Sequence, residues 1–112
     1  MANSVHLTAF FVRKAKRLLK KYHTLHTSLK NLEQDLIKNP KMGDNYGGNI
    51  YKVRLADESK GKGKSGGFRV INYIIEENAG STEVYLITIF DKSEEASISK
   101  DDIRSILKSE GL

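Results

Sequence analysis

Phe68-Arg69-Val70-Ile71-Asn72-Tyr73-Ile74-Ile75, a connection from Glu76 to Ser81, and then Val84-Tyr85-Leu86-Ile87-Thr88-Ile89-Phe90 form the stretch that decides the fold. Both runs are apolar and rich in β-branched residues, which suit a pleated, packed surface. The connection contains Asn78 and Gly80, residues that favour a turn. Two strands joined so closely are predicted to pair as an antiparallel hairpin, with Phe68 to Ile75 as a central strand.

Upstream, Tyr51, Val53 and Leu55 alternate with Lys52 and Arg54, a half-buried strand with two cations on its other face. Polar Asp57 to Gly67 and glycine-containing Met42 to Asn49 flank it and read as loops. Before them the period is helical. Phe11, Ala15, Leu18, Leu19 and Tyr22 share one face, and Leu25, Leu29, Leu32, Leu36 and Ile37 mark a second helix. Asn39-Pro40 stops that helix, because the residue before proline disfavours the α region. Val5, Leu7 and Ala9 alternate with His6 and Thr8 as a short first strand, and His23 and His26 fall between the two helices. At the other end Ser99 caps a helix, with Asp102 at the third helical position and Ile98 placed to staple onto Ile103. Ile103, Ile106 and Leu107 form its stripe and Gly111 ends it. The order β-α-α-β-β-β-α predicts one α+β domain over residues 1–112. Its sheet is antiparallel or mixed, with an N-terminal helical hairpin packed on one face.

At 112 residues the chain has no cysteine, which excludes disulfides and thiolate metal sites. No apolar run approaches the roughly 20 residues of a membrane helix. The apolar segment Val5 to Phe11 precedes its basic cluster, the wrong order for a secretory signal. Charge is distributed unevenly. Residues 1–69 hold 15 Lys and Arg against 5 Asp and Glu, a net of +10, whereas residues 70–112 hold 4 against 9, a net of −5. A cationic first part is the footprint of a polyanionic partner. Arg13, Lys14, Lys16, Arg17, Lys20 and Lys21 crowd the first helix with no acid between them.

The loop Lys60-Gly61-Lys62-Gly63-Lys64-Ser65-Gly66-Gly67 brings lysines and close-approaching backbone to Phe68-Arg69. It is not a P-loop, since it lacks the upstream glycine and precedes a strand. Strand pairing predicts that Lys52, Arg54, Arg69 and Lys92 gather on the sheet face opposite the helices. His6, His23 and His26 complete no metal-ligand pattern, and Glu94, Glu95, Asp101 and Asp102 read as cap and solvent residues.

Three segments resemble the RelE/ParE toxin superfamily in its HigB-like branch: Tyr51-Lys52-Val53-Arg54-Leu55-Ala56, then Lys60 to Ile71, then Val84 to Glu94. Lys20-Lys21-Tyr22 and Asn39-Pro40-Lys41-Met42-Gly43 fit the same pattern. The resemblance implies a RelE-like fold and the toxin of a type II toxin–antitoxin pair, cytoplasmic, with a cognate antitoxin, mRNA and the ribosome as partners and no membrane. It implies a ribosome-dependent endoribonuclease without cofactor or metal, in which the RNA 2′-hydroxyl attacks phosphorus and cations stabilise the pentavalent phosphate. Arg69 would be the main phosphate-stabilising residue, lined by Lys52, Arg54 and Lys92. Lys60, Lys62 and Lys64 would hold RNA backbone. Arg13, Lys16 and Lys20 would meet RNA or the acidic antitoxin. Some members carry a late Tyr or His for proton transfer, and this chain has neither after Tyr85; Asp91 and Lys92 end the last strand where such a group would be sought, which leaves the base open. Two alternatives stand beside this reading: a ParE-like toxin that binds DNA gyrase, and a non-catalytic RNA-binding module.

Overall fold

The computed structural model describes residues 3–57, 67–77, 80–95 and 97–112. The elements run β1 (Ser4–Leu7), α1 (Ala9–Lys21), α2 (Leu25–Lys38), β2 (Asp44–Asn45), β3 (Ile50–Leu55), β4 (Phe68–Glu76), β5 (Thr82–Asp91) and α3 (Lys100–Ser109). They build one five-stranded sheet in the order β1-β5-β4-β3-β2. The sheet is mixed: β1 runs parallel to β5, with Val5 opposite Val84, and the remaining pairs are antiparallel. The β4–β5 hairpin forms the centre as expected. Of its connection, Asn78 lies outside the described residues.

Each sheet face is covered. Phe11, Ala15 and Leu18 of α1 and Leu25, Leu32 and Leu36 of α2 join Val53, Phe68, Val70, Ile74, Val84, Leu86 and Ile89 in one buried cluster. On the opposite face, Ile103, Ile106 and Leu107 of α3 pack with Ile50, Ile71, Ile87 and Phe90. Leu86 and Ile89 therefore belong to one face and Ile87 to the other, which strict alternation does not allow. The register explains it. Ile71 pairs with Thr88 but Asn72 pairs with Leu86, so Ile87 is the extra residue of a β-bulge.

Local chemistry sets the helix starts. The Thr8 hydroxyl accepts the Phe11 N–H at 3.1 Å and donates to the Leu86 carbonyl at 2.9 Å, capping α1 and tying it to the sheet. Ser99 accepts the Asp102 N–H at 3.1 Å, the expected cap of α3, and Gly111 (φ 77) follows that helix in the left-handed region.

Three sequence expectations are corrected. Met42 to Asn49 is not all loop, because Asp44–Asn45 adds an edge strand to β3. Gly43 allows it: at φ 97, a Cβ there would stand 2.5 Å from the Lys52 carbonyl oxygen. Ile37, placed in the apolar stripe of α2, is 48% exposed, because one helical turn faces the core through Leu36 and turns the next residue outward. His26 lies inside α2, leaving Tyr22 to Thr24 as the connection.

Candidate functional site

Directly opposed residues of antiparallel strands share a face. Lys52 is opposite Ile71, Arg54 is opposite Arg69, and Arg69 is opposite Phe90. The three cations consequently share one face, opposite the α1–α2 hairpin, but that face is not free of helices as the strand pattern suggested, because α3 packs on it. Beyond β5, the Lys92 N–H donates to the Gly67 carbonyl at 3.2 Å. Lys92 is the first residue after β5, in the turn that the Glu94 N–H closes on the Asp91 carbonyl, so strand parity does not place its side chain on the face of Arg69.

Arg69 is the unusual member. It is 4% exposed, and its Nη1 donates to the Phe68 carbonyl at 3.2 Å. Burial pushes the guanidinium pKa down, the Arg54 charge pushes the same way, and the Tyr46 phenol acts in the opposite sense. Arg54, opposite Arg69, is exposed, and Lys52 is half-buried.

Two further residues share this site. Asp44 of β2 is opposite Lys52 and so points to the same face. Tyr46, two residues on, packs against the α3 cluster with its ring centroid 5.0 Å from Lys52 Nζ. Asp44, Lys52 and Arg54 line an open cleft of 390 Å³ together with Met42, Gly43 and Val53. Sequence reasoning missed Asp44 and Tyr46 because a two-residue strand is too short to show a period. The available signal was their i, i+2 spacing between Gly43 and Gly47-Gly48.

The other expected site residues fall elsewhere. Lys60, Lys62 and Lys64 lie outside the described residues. Asp57, just before them, is described: its carboxylate accepts the Thr24 and Ser28 hydroxyls at 2.6 Å each, fastening the end of β3 to the start of α2. Arg13, Lys16 and Lys20 are exposed on α1, whose buried stripe packs on the opposite sheet face, so they do not join the cluster. The α1 cations are also not free of acids. Lys14 pairs with Glu95 at 3.3 Å, and Arg17 and Lys21 with Glu94 at 3.0 and 3.7 Å. Glu94 and Glu95 are therefore helix partners supplied by the chain after β5, and not merely solvated acids.

Asp91 is answered by geometry as well. It is fully buried, opposite Phe68, and accepts the Tyr22 hydroxyl at 2.9 Å and the Ser93 N–H and hydroxyl at 2.9 and 2.8 Å. It faces the α1–α2 side and cannot serve as the base beside Arg69. A second surface lies on that side: an apolar groove of 390 Å³ with Leu7, Val12, Leu19 and Leu29 in its lining and Lys16, Lys30 and Glu33 at its edges. Among the described residues, no group of three or more His, Asp or Glu is placed to hold a metal ion. No helix of the described chain is long and apolar enough to cross a membrane.

A double arginine mutant of the E. coli toxin RelE, solved in the free state, is similar over 100% of both chains, with a TM-score of 0.60 and 21% sequence identity. That likeness establishes a shared fold. Residues 3–110 match the family described as the RelE toxin of the RelE/RelB toxin–antitoxin system. With nearly its whole length matched, this chain belongs to the RelE toxin family.

Proposed function

We propose that the protein is a toxin that cuts mRNA on the ribosome without a metal ion, through attack of a ribose 2′-hydroxyl on the adjacent phosphorus. The observation that carries this reading is the buried Arg69 beside Arg54 and close to Lys52 on one sheet face. A guanidinium held by the sheet beside two further cations is placed to meet charge that develops late. A pentavalent phosphorane carries more negative charge than the ground-state diester, so preorganised cations stabilise it preferentially. Arg69 provides the main contact, Lys52 and Arg54 line the approach, and Lys92 reaches in from the end of β5. Lys60, Lys62 and Lys64 hold RNA backbone on either side. The toxin acts in the cytoplasm, where a cognate antitoxin neutralises it. Arg13, Lys16 and Lys20, exposed along α1, offer that acidic partner or ribosomal RNA a cationic surface.

Arg69→Ala tests the reading. One transition-state contact of this kind is worth about 3–4 kcal/mol, or roughly 10²–10³ in rate. Induced without antitoxin, the wild type should arrest growth and leave new ends in a cellular message by primer extension. The variant, folded by circular dichroism, should do neither. Equal arrest by both proteins refutes the role of Arg69, and arrest without message cleavage refutes the ribonuclease reading.

A further inference from the structure

Cleavage by 2′-hydroxyl attack needs two proton transfers, one from the attacking oxygen and one to the departing 5′-oxygen. Lysine and arginine at the cluster supply charge, but the β2 edge of that face also carries the Asp44 carboxylate and the Tyr46 phenol, apart from Tyr73 and Tyr85 farther along it. Asp44 stands opposite Lys52 and lines the cleft with Lys52 and Arg54. Tyr46 places its ring 5.0 Å from Lys52 Nζ, and among the described residues its hydroxyl makes no hydrogen bond. Two residues apart along an extended chain is about 7 Å. That spacing lets two side chains flank one phosphate, each reaching a different apical oxygen. Their mount is firm. The Tyr46 N–H donates to the Ile50 carbonyl at 2.8 Å, the Gly47 N–H donates to the Asn45 side chain at 2.8 Å, and Gly43 holds β2 against β3.

We propose that Asp44 and Tyr46 are the proton-transfer pair of this site, Asp44 as general base and Tyr46 as general acid. The assignment rests on the ribonuclease reading and extends it. Asp44 accepts the 2′-hydroxyl proton as the 2′-oxygen bonds to phosphorus. The phosphorus–5′-oxygen bond breaks, and Tyr46 gives its proton to that oxygen. The products are a 2′,3′-cyclic phosphate and a free 5′-hydroxyl. Asp44 then releases a proton to solvent and Tyr46 recovers one, so the cycle closes with none gained or lost. Lys52, between the two, steadies the phenolate while it lacks its proton.

The test is single-turnover cutting of a synthetic message on programmed ribosomes by the full-length protein. Asp44→Asn and Tyr46→Phe are each expected to slow the cut by roughly 10²–10⁴ while still co-sedimenting with ribosomes. Tyr46→Phe keeps the ring, so a stacking role would survive it and a proton-donor role would not. A substrate with sulfur in place of the scissile 5′-oxygen needs no protonation to leave, and it should restore Tyr46→Phe to near wild-type rate but not Asp44→Asn. The Asp44→Asn rate should climb with pH as hydroxide replaces the carboxylate. Rates within threefold of wild type for either variant on the ordinary message overturn that residue's assignment and leave the ribonuclease reading standing, as does failure of the sulfur substrate to rescue Tyr46→Phe. A wild type that cuts no message overturns both.

Discussion

Replacing Asp91 with alanine is expected to cost the fold about 3–4 kcal/mol, more than most single substitutions. The carboxylate is fully buried and, among the described residues, accepts the Tyr22 hydroxyl at 2.9 Å, the Ser93 N–H at 2.9 Å and the Ser93 hydroxyl at 2.8 Å. A hydrogen bond to a charged group contributes roughly 1.5–3 kcal/mol net. Ser93 is exposed and recovers water when Asp91 is lost, which cuts its share. Tyr22 is half-buried, with its ring edge-on to Phe68 at 5.3 Å between centroids, so its hydroxyl recovers less. The Asp91 carbonyl also accepts the N–H groups of Glu94 and Glu95, the two acids that pair with α1, so the loss extends to the seat of that helix. Against a total stability of about 5–15 kcal/mol for an ordinary domain, this is a large fraction. Urea unfolding followed by far-ultraviolet circular dichroism reads it as a lower midpoint at unchanged slope. Tyr22→Phe alone should cost about 1.5–2 kcal/mol, and the double variant should show a coupling of about 1–2 kcal/mol, as residues sharing one bond do. A cost below about 1 kcal/mol for Asp91→Ala, or additivity within about 0.5 kcal/mol, refutes the reasoning.

Two further outcomes follow from the structure. Asn72 is fully buried at the β-bulge, and among the described residues neither polar atom of its side-chain amide has a hydrogen-bond partner, so Asn72→Val should stabilise the protein by about 1–3 kcal/mol, and a fall in melting temperature refutes this. The hydrogen bond from Arg17 holds the Glu94 carboxyl below its ordinary range. A depressed folded pKa stabilises above the unfolded pKa and loses that contribution as pH falls through the folded one. The melting temperature of Glu94→Gln should therefore lie below wild type at neutral pH and converge with it in acid or in high salt, and a gap independent of both refutes the pairing.

Much of the architecture is legible in the chain because it is written in local periods. The apolar stripe Phe11, Ala15, Leu18, the alternation Tyr51, Val53, Leu55 and the cap at Ser99 depend on neighbours within a turn or two, so they are readable from residue types. Thr8 and Ala9 read as part of the first strand, and only the structure shows Thr8 capping α1 and Ala9 opening it. Strand alternation with short connections was likewise enough to place Lys52, Arg54 and Arg69 on one face, since pairing carries that parity across the sheet. Contacts between elements distant in sequence had to come from the tertiary structure. The bulge at Ile87 moves one residue to the other face, and nothing in the string Leu86-Ile87-Thr88 marks which apolar residue is the extra one. Glu94 and Glu95 look like solvated acids until the end of β5 is set beside α1, 77 and 81 residues away for the Arg17 and Lys14 pairs. Asp91 looks available for catalysis until its carboxylate is seen bound to Tyr22. Asp44 and Tyr46 join the cations only because a two-residue edge strand docks on β3, a contact permitted by the missing side chain of Gly43. Residue types determine what each segment is able to form. Which side chains meet depends on the register, the bulge and the close approaches that packing selects, and those are properties of the whole sheet.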